Sequence, residues 1–337
     1  MKKIYNVIAV IFFAQCIVFA GGKKESALSD SRSQTDSAPR AEKIRAGALV
    51  GPSGLGMAYM FAHVPSIGNT SVEYEACASV DVLLPKLING DLDVGILPPN
   101  VAAKLYNSNP ESIVALATVG RSMLALITSD PAIHTLSDLV GHTVSVAGQG
   151  STPDYVFQTL LASEGIVNQV TLDYSIPTPE IAAAVISGKI KYALVPEPFA
   201  TVAVINRSNS SQPVKRAILM KELWTANGFG NDFPMTLVVA RTEFARKYPE
   251  SLAQFLESYE KSILWTVSNP DEAGPIVEAA NLGLKAAIAT KAIPFCNFVY
   301  INAIDNRSEI ENLLTVFLKF APIAIGGKLP GEGFYWK

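Results

Sequence analysis

Residues 88–99 decide the fold of this chain, and they read INGDLDVGILPP. Residues 186–197 repeat the pattern as ISGKIKYALVPE, 98 residues further along the chain and without a gap. Each copy predicts the end of a helix, a glycine suited to a left-handed helix cap, a short apolar strand, and a proline turn that ends the strand. One supersecondary unit is therefore expected twice.

The same spacing of 98 residues holds further upstream. Residues 44–53 (IRAGALVGPS) match residues 142–151 (HTVSVAGQGS), and each is an extended segment that runs into a glycine-rich turn ending in serine. Two matched strand–turn pairs at one spacing predict two similar α/β lobes. Coincidence is the alternative, because strand–turn–helix units occur throughout α/β proteins and the matched stretches are short.

Length and composition are consistent with two globular domains. The chain has 337 residues, of which 49% are hydrophobic, and this is enough for sizeable cores. Loss of the first 20 residues would leave 25 basic and 30 acidic residues, a net charge of −5, which argues against nucleic acid as a partner. Only Cys77 and Cys296 would then remain, far fewer than a disulfide scaffold carries.

The first 20 residues have the composition of a secretory signal peptide. Lys2 and Lys3 precede an apolar run at residues 8–14, and small residues follow that run. A first membrane helix is the alternative, but the run is short for spanning a bilayer and a polar segment comes next. We therefore expect a periplasmic or otherwise exported protein.

The site of cleavage has two candidates. Ala20 is favoured, because small residues precede it at the required spacing. Cys16 is the alternative, and it would anchor the protein to a membrane through a lipid, although the residues before it make a poor lipid-attachment motif. Residues 21–42 are almost entirely polar and cannot bury enough apolar surface to fold, so a flexible leader is predicted.

The first lobe is predicted to alternate strands with helices. Strands are expected at residues 44–49, 71–76 and 92–97, and a helix at residues 55–62 follows the first of them with Ser53 as its N-cap. This β-α-β pattern is typical of parallel sheets, whose ligands bind at the carboxyl ends of the strands.

Two segments are predicted to cross between the lobes. The first is Gly120-Arg121, which separates apolar strands at residues 113–119 and 123–128. The second is Phe233-Pro234-Met235, which precedes a strand at residues 236–240. We expect a hinge near these two crossings.

The crossings define the predicted domains. Lobe 1 is discontinuous and takes residues 43–122 and 237–337, whereas lobe 2 takes residues 123–236. The returning chain contains apolar patterns of helical period at residues 244–265 and 275–289, which are expected to pack on lobe 1.

Several motifs along the chain resemble those of the type II periplasmic solute-binding proteins of ABC importers, in the branch that includes binders of nitrate, sulfonates and thiamine precursors. Each motif is degenerate by itself, and the order of the motifs carries the resemblance. They are NGDLDVG (89–95), SDLVGHT (137–143), GSTP (150–153), PEP (196–198), YPE (248–250), NPDEA (269–273) and LPGEGFY (329–335).

The resemblance implies an α/β protein with the two-lobed type II periplasmic-binding-protein fold. Two mixed, mostly parallel sheets would be joined by two crossing strands. The lobes would close over one small molecule and present it to an ABC permease in the inner membrane. We expect a monomer with no cofactor, no metal site and no nucleic-acid partner.

The candidate ligand site lies at the carboxyl ends of the predicted strands. Glycine-rich turns there aim free backbone N–H groups at a ligand, and a carboxylate on a proline-rigid turn can accept hydrogen bonds from it. The candidate ligand-binding residues are Pro52, Ser53, Leu55, Pro99, Asn100, Ser151, Thr152, Tyr155, Glu197 and Phe233.

The ligand class follows from the aromatic and acidic character of these residues. A flat heterocycle bearing an amino group, such as a vitamin precursor, is expected, because simple anions call for paired cations or many N–H donors. A sulfonate or nitrate-like anion is the first alternative. An enzyme of the same fold that makes a thiamine precursor is the second, although the sequence has no Gly-x-Ser-x-Gly or His-Glu-x-x-His motif and its three histidines are isolated.

Overall fold

Two β-sheets organise the computed structural model, which describes residues 39–337. The predictions of a signal peptide at residues 1–20, a lipid anchor at Cys16 and most of the leader lie outside the described residues. The strands of the described part, numbered in chain order, are β1 (Lys43–Leu49), β2 (Ser66–Ile67), β3 (Thr70–Cys77), β4 (Val94–Leu97), β5 (Ile113–Arg121), β6 (Leu124–Thr128), β7 (Thr143–Val146), β8 (Thr171–Asp173), β9 (Tyr192–Pro196), β10 (Lys215–Leu219), β11 (Pro234–Arg241) and β12 (Phe298–Asn302).

The first sheet has seven strands in the order β12-β5-β11-β4-β1-β3-β2, and the second has five in the order β10-β6-β9-β7-β8. Both sheets are mixed, as predicted. Parallel pairing is confined to β4-β1-β3 and β9-β7-β8, and the other neighbours run antiparallel. The share of parallel pairing is thus smaller than predicted, because β5, β6, β10, β11 and β12 all pair antiparallel.

The repeat in the sequence corresponds to a repeat in strand register. Strands β1 and β3 pair residues that are 28 apart along the chain (Arg45 with Glu73), and so do β7 and β8 (Thr143 with Thr171). Strands β1 and β4 pair residues 48 apart, as do β7 and β9. Three strands of each sheet therefore pair with the same separations, at positions that the spacing of 98 residues relates.

The helices of the described part connect these strands, and many begin with proline, whose missing N–H costs nothing in a first turn. They are α1 (Pro52–Gly56), α2 (Ala58–His63), α3 (Val80–Asn89), α4 (Pro99–Ser108), α5 (Thr152–Ser163), α6 (Thr178–Ile186), α7 (Phe199–Asn206), α8 (Met220–Ala226), α9 (Thr242–Lys247), α10 (Pro249–Ser268), α11 (Pro270–Ala279), α12 (Ala286–Ala292) and α13 (Arg307–Phe320).

The glycines of the repeated stretch act as predicted. Gly90 and Gly188 have φ of 82° and 77°, the left-handed conformation that ends a helix at low steric cost for glycine. The N–H of Gly90 donates to the carbonyl of Leu87, and that of Gly188 donates to the carbonyl of Val185. These contacts end α3 and α6 just before β4 and β9.

Three predicted helices are wrong in their extent. The helix expected at residues 55–62 is two short helices, α1 and α2, that meet at Met57. The helix expected at residues 244–265 is α9 and α10, because Pro249 cannot continue the first and instead begins the second. Residues 275–289 fall into α11 and α12, and Pro275 lies inside α11.

The two crossings lie side by side between the sheets. The backbone N–H of Ser122 donates to the carbonyl of Phe233 over 3.0 Å, and Pro234 pairs with Arg121. Asp232 lies 3.7 Å from the Arg121 guanidinium, so an ion pair also joins the two segments. The first sheet includes residues 234–236, which the predicted boundary assigns to the second lobe.

Candidate functional site

Four turns follow the carboxyl ends of β1, β4, β7 and β9, and we call them the edge turns. Their residues are 50–53, 98–100, 147–152 and 197–199. Two belong to the first sheet and two to the second, at the positions that the 98-residue repeat relates. The fold brings all four together, because residues of the first-sheet turns contact residues of the second-sheet turns.

Asn100 makes one of these contacts. Its side-chain Nδ2 donates to the carbonyl oxygen of Gly150 over 2.9 Å, and its Oδ1 accepts from the Thr152 hydroxyl over 3.0 Å. Asn100 and Thr152 are both buried. Two predicted site residues from different sheets are therefore joined directly.

Gly51 and Phe199 make a second contact between the sheets. A Cβ atom built on Gly51 would lie 3.2 Å from two carbon atoms of the Phe199 ring. Gly51 also has φ of 111°, which side-chain-bearing residues rarely adopt. Glycine is required here by both the close approach and the backbone conformation.

The prediction that Ser53 is an N-cap is wrong. Helix α1 begins at Pro52 with Gly51 at the N-cap, so Ser53 already lies inside the first turn. Its hydroxyl instead accepts from the Leu49 N–H over 2.9 Å and donates to the Leu49 carbonyl over 3.1 Å. Ser53 therefore fixes the end of β1 against α1.

Leu55, near the end of α1, and Pro99, at the start of α4, are both buried. Leu55 packs in an apolar cluster with Val277 and Leu282 of the first-sheet half, so its side chain serves that core. Pro99 occupies the first turn of α4 and places Asn100 at the sheet edge.

Ser151 is the N-cap residue of α5, although its hydroxyl does not cap the helix. The Oγ atom donates to the Gly148 carbonyl over 2.5 Å and so closes the turn after β7. Tyr155, one turn later, is partly buried, and its ring centroid lies 5.7 Å from that of Phe317. Burial, and then the charge of Asp154, raise the pKa of Tyr155, which keeps its phenol protonated.

Asp154 is buried beside the turn after β7 and was not among the predicted site residues. Its carboxylate accepts from the Gly150 N–H over 2.8 Å, from Gln158 over 2.6 Å and from the Tyr174 hydroxyl over 2.6 Å. Burial, together with the hydrogen bond to Asp154, raises the pKa of Tyr174, so the phenol stays a donor. All three donors are uncharged, and the carboxylate lies in the first turn of α5.

Glu197 is 4% exposed and its carboxylate is engaged within the protein. One oxygen accepts from the N–H and hydroxyl of Thr201 over 3.0 and 2.8 Å, and the other accepts from Arg216 Nε over 2.6 Å. The Arg216 guanidinium also stacks on the ring of Phe295, which belongs to the other half of the molecule, with 4.4 Å to the ring centroid.

Phe233 lies at the second crossing and not on an edge turn. It is fully buried, and its ring centroid lies 5.0 Å from that of Trp224. This aromatic pair packs beneath the crossing segments, so Phe233 contributes to the core near the predicted hinge.

The two cysteines of the described chain are free and buried. Burial, and then the charge of Glu197, raise the pKa of Cys296 well above its ordinary value, and burial also raises that of Cys77. Both are held as neutral thiols. Within residues 39–337, no group of three His, Cys, Asp or Glu side chains is placed to hold a metal ion, and none of the helices there is long and apolar enough to cross a membrane.

Comparison with solved structures defines the class of fold. The chain is similar to an ABC transporter protein from Parabacteroides distasonis, with 25% identity and a TM-score of 0.71 over 88% of this chain and 99% of that chain. It is also similar to the periplasmic aliphatic sulphonate binding protein SsuA from Escherichia coli (15% identity, TM-score 0.69, 88% and 92% covered). The periplasmic nitrate-binding protein NrtA from Synechocystis PCC 6803 has the same fold (13% identity, TM-score 0.63, 85% and 83% covered).

The sequence comparison defines the family. Residues 55–280 match the NMT1-like family, and the chain belongs to that family. The predicted resemblance to type II periplasmic binding proteins is thereby confirmed at the level of family and fold. The sequence matches no curated protein.

Proposed function

We propose that this protein is the exported substrate-binding component of an ABC importer. It captures a small molecule between lobe 1 (residues 43–122 and 237–337) and lobe 2 (residues 123–236) and delivers it to a membrane permease. The observation that carries this proposal is the meeting of edge turns from the two sheets. Asn100, after a strand of the first sheet, is hydrogen-bonded there to Gly150 and Thr152, after a strand of the second sheet. A ligand bound there would be enclosed by closure of the lobes.

We propose a binding role without turnover. A carboxylate that acts as a catalytic base must be able to reach the substrate, but Asp154 and Glu197 are both held by partners within the protein. The buried thiols are neutral and so are poor nucleophiles. These contacts favour a binding protein over an enzyme that makes a thiamine precursor.

The charges near the edge turns support an amino-bearing heterocycle as the ligand. The N-terminus of α5 is the natural anion site in the second lobe, but the Asp154 carboxylate already occupies its first turn and accepts from Gly150. Arg216 is paired with Glu197 and does not offer a free cation. A neutral or cationic ligand with N–H donors avoids the repulsion that an anion would meet.

A sulfonate or nitrate-like anion is the second candidate. It is favoured by the fold that the chain shares with the sulphonate-binding protein SsuA and the nitrate-binding protein NrtA, at 15% and 13% identity. The two candidates differ in charge and can be separated by one experiment.

An aminopyrimidine is expected to bind and raise the melting temperature of the protein, whereas an alkanesulfonate or nitrate is expected to leave it unchanged. At a concentration 100 times the dissociation constant, a ligand that binds only the native state adds about 2.7 kcal/mol to the free energy of unfolding. Native mass spectrometry of the purified protein detects a bound small molecule. Thermal unfolding in the presence of each compound then measures the change in melting temperature. Stabilisation by the sulfonate or nitrate alone would reverse the ligand assignment, and steady conversion of a bound compound would refute the binding role.

We propose that the mature protein acts as a monomer outside the cytoplasm, free or attached through a lipid at Cys16. Mass determination of the secreted protein distinguishes the two forms. Cleavage after Ala20 gives an unmodified chain, whereas attachment at Cys16 gives a longer chain that carries the mass of a lipid.

A further inference from the structure

The side chain of Asn100 joins three segments from different parts of the fold. It donates to the Gly150 carbonyl over 2.9 Å and to the Ala324 carbonyl over 3.4 Å, and it accepts from the Thr152 hydroxyl over 3.0 Å. Asn100 is 1% exposed. Both amide hydrogens are therefore used within the protein, and the side chain has no free donor for a ligand.

We propose that Asn100 is a closure clasp that sets the proportion of the closed form, and is not a ligand contact. The inference rests on the proposed function, because it assumes that the two halves open and close. Its bonds to Gly150 and Thr152 exist only while the turn after β4 meets the turn after β7. When the halves part, water replaces these partners. The bonds therefore favour closure only by their net free energy relative to hydrogen bonds with water.

The third partner of the clasp comes from the C-terminal part of the chain. Ala324 lies in a short 3-10 turn, Pro322–Ile325, that follows α13. Its carbonyl shares the amide of Asn100 with Gly150, so the C-terminal turn holds the clasp in position. Asn100 is thus a positioning residue that connects the C-terminal turn to closure.

Asn107 provides a matched control on the same helix. Its Nδ2 donates to the carbonyls of Ile325 and Lys328 over 2.7 Å each, so it has the same chemistry and reaches the same C-terminal segment. Neither of these bonds reaches the second sheet. Loss of the Asn107 side chain loosens the C-terminal segment without removing a hydrogen bond between the turns of the two sheets.

The test compares wild type, Asn100→Ala and Asn107→Ala as ligand-free proteins. Spin labels on cysteines introduced at Asp91 and Lys189, exposed positions of the two halves, report the distance between them, and the native cysteines are buried. Loss of two neutral hydrogen bonds is expected to lower the closed-to-open ratio about tenfold in Asn100→Ala. Asn107→Ala should keep the wild-type distance distribution.

Several outcomes would overturn the clasp. One is an unchanged distance distribution in Asn100→Ala combined with weaker binding of the aminopyrimidine, which would make Asn100 a ligand contact. Another is an equal shift in both variants, which would assign the effect to the C-terminal segment. If Asn100→Ala does not fold, Thr152→Val removes one bond with little change of shape, and the same distribution must shift in the same direction.

The result is separable from the proposed function. A shifted distribution in a protein that binds no small molecule would support the clasp and refute the importer role. An unshifted distribution in a protein that binds the aminopyrimidine would refute the clasp and leave the importer role intact.

Discussion

Replacement of Arg216 by methionine is expected to lower the free energy of unfolding by about 3–5 kcal/mol. The change leaves the Glu197 carboxylate buried without its cation, and breaking a buried ion pair from one side has an effect of this size. The pair is well shielded, since the Glu197 and Arg216 side chains are 5% and 19% exposed. Urea denaturation followed by circular dichroism measures the loss.

The matched control is an ion pair on the surface. Lys261→Met removes the partner of Glu257, but both side chains are more than 60% exposed and the pair is screened by water. We expect almost no change in stability from this variant. The double variant Glu197→Gln with Arg216→Met should recover part of the loss, because it leaves no unpaired charge. Equal destabilisation by Arg216→Met and Lys261→Met would contradict the explanation.

Removal of the Asp154 side chain is expected to lower the free energy of unfolding by about 3 kcal/mol and to weaken ligand binding at least tenfold. Asp154→Ala removes the charged acceptor that Gly150, Gln158 and Tyr174 share. A hydrogen bond to a charged group contributes about 1.5–3 kcal/mol, and partial exposure of these donors lets water replace part of the loss. The turn after β7 then loses the contact that fixes Gly150. Denaturation and titration calorimetry with the aminopyrimidine measure the two effects.

Asp154→Asn separates shape from charge at the same position. The amide oxygen can still accept from Gly150, so much of the stability should remain. The variant also removes the negative charge from the first turn of α5, where an anion would otherwise be repelled. Tighter binding of the aminopyrimidine to Asp154→Asn than to wild type would contradict the proposed role of this charge in ligand selection.

The repeated stretch shows how far local sequence predicts structure. The glycine cap, the apolar strand and the proline turn depend on neighbouring residues, so they could be identified in both copies. The 98-residue spacing predicted two similar lobes, and the shared register agrees with it. Ser53 shows the limit of this reasoning. Its hydroxyl could bond helix N–H groups or the end of the preceding strand, and packing selects the strand.

Partners that are distant in sequence could not be assigned from local patterns. Arg216 lies on β10, a strand absent from the predictions, and its pairing with Glu197 depends on how β10 and β9 flank β6. Asp154 comes just after a predicted glycine-rich turn, but its hydrogen-bond partner Tyr174 comes from the segment after β8. Both side chains lie near the candidate site only because the fold of the second sheet brings these segments together.

The sequence by itself determined the two-lobed α/β architecture, the crossings and the edge turns, because these follow from apolar periodicity and turn residues along the chain. Tertiary structure alone decided what the polar side chains at those turns do. Asn100, Asp154 and Glu197 could each have faced a ligand, yet each is bonded to the protein. The physical reason is that a buried polar group must find partners, and the nearest partners come from segments that only the folded chain brings within reach.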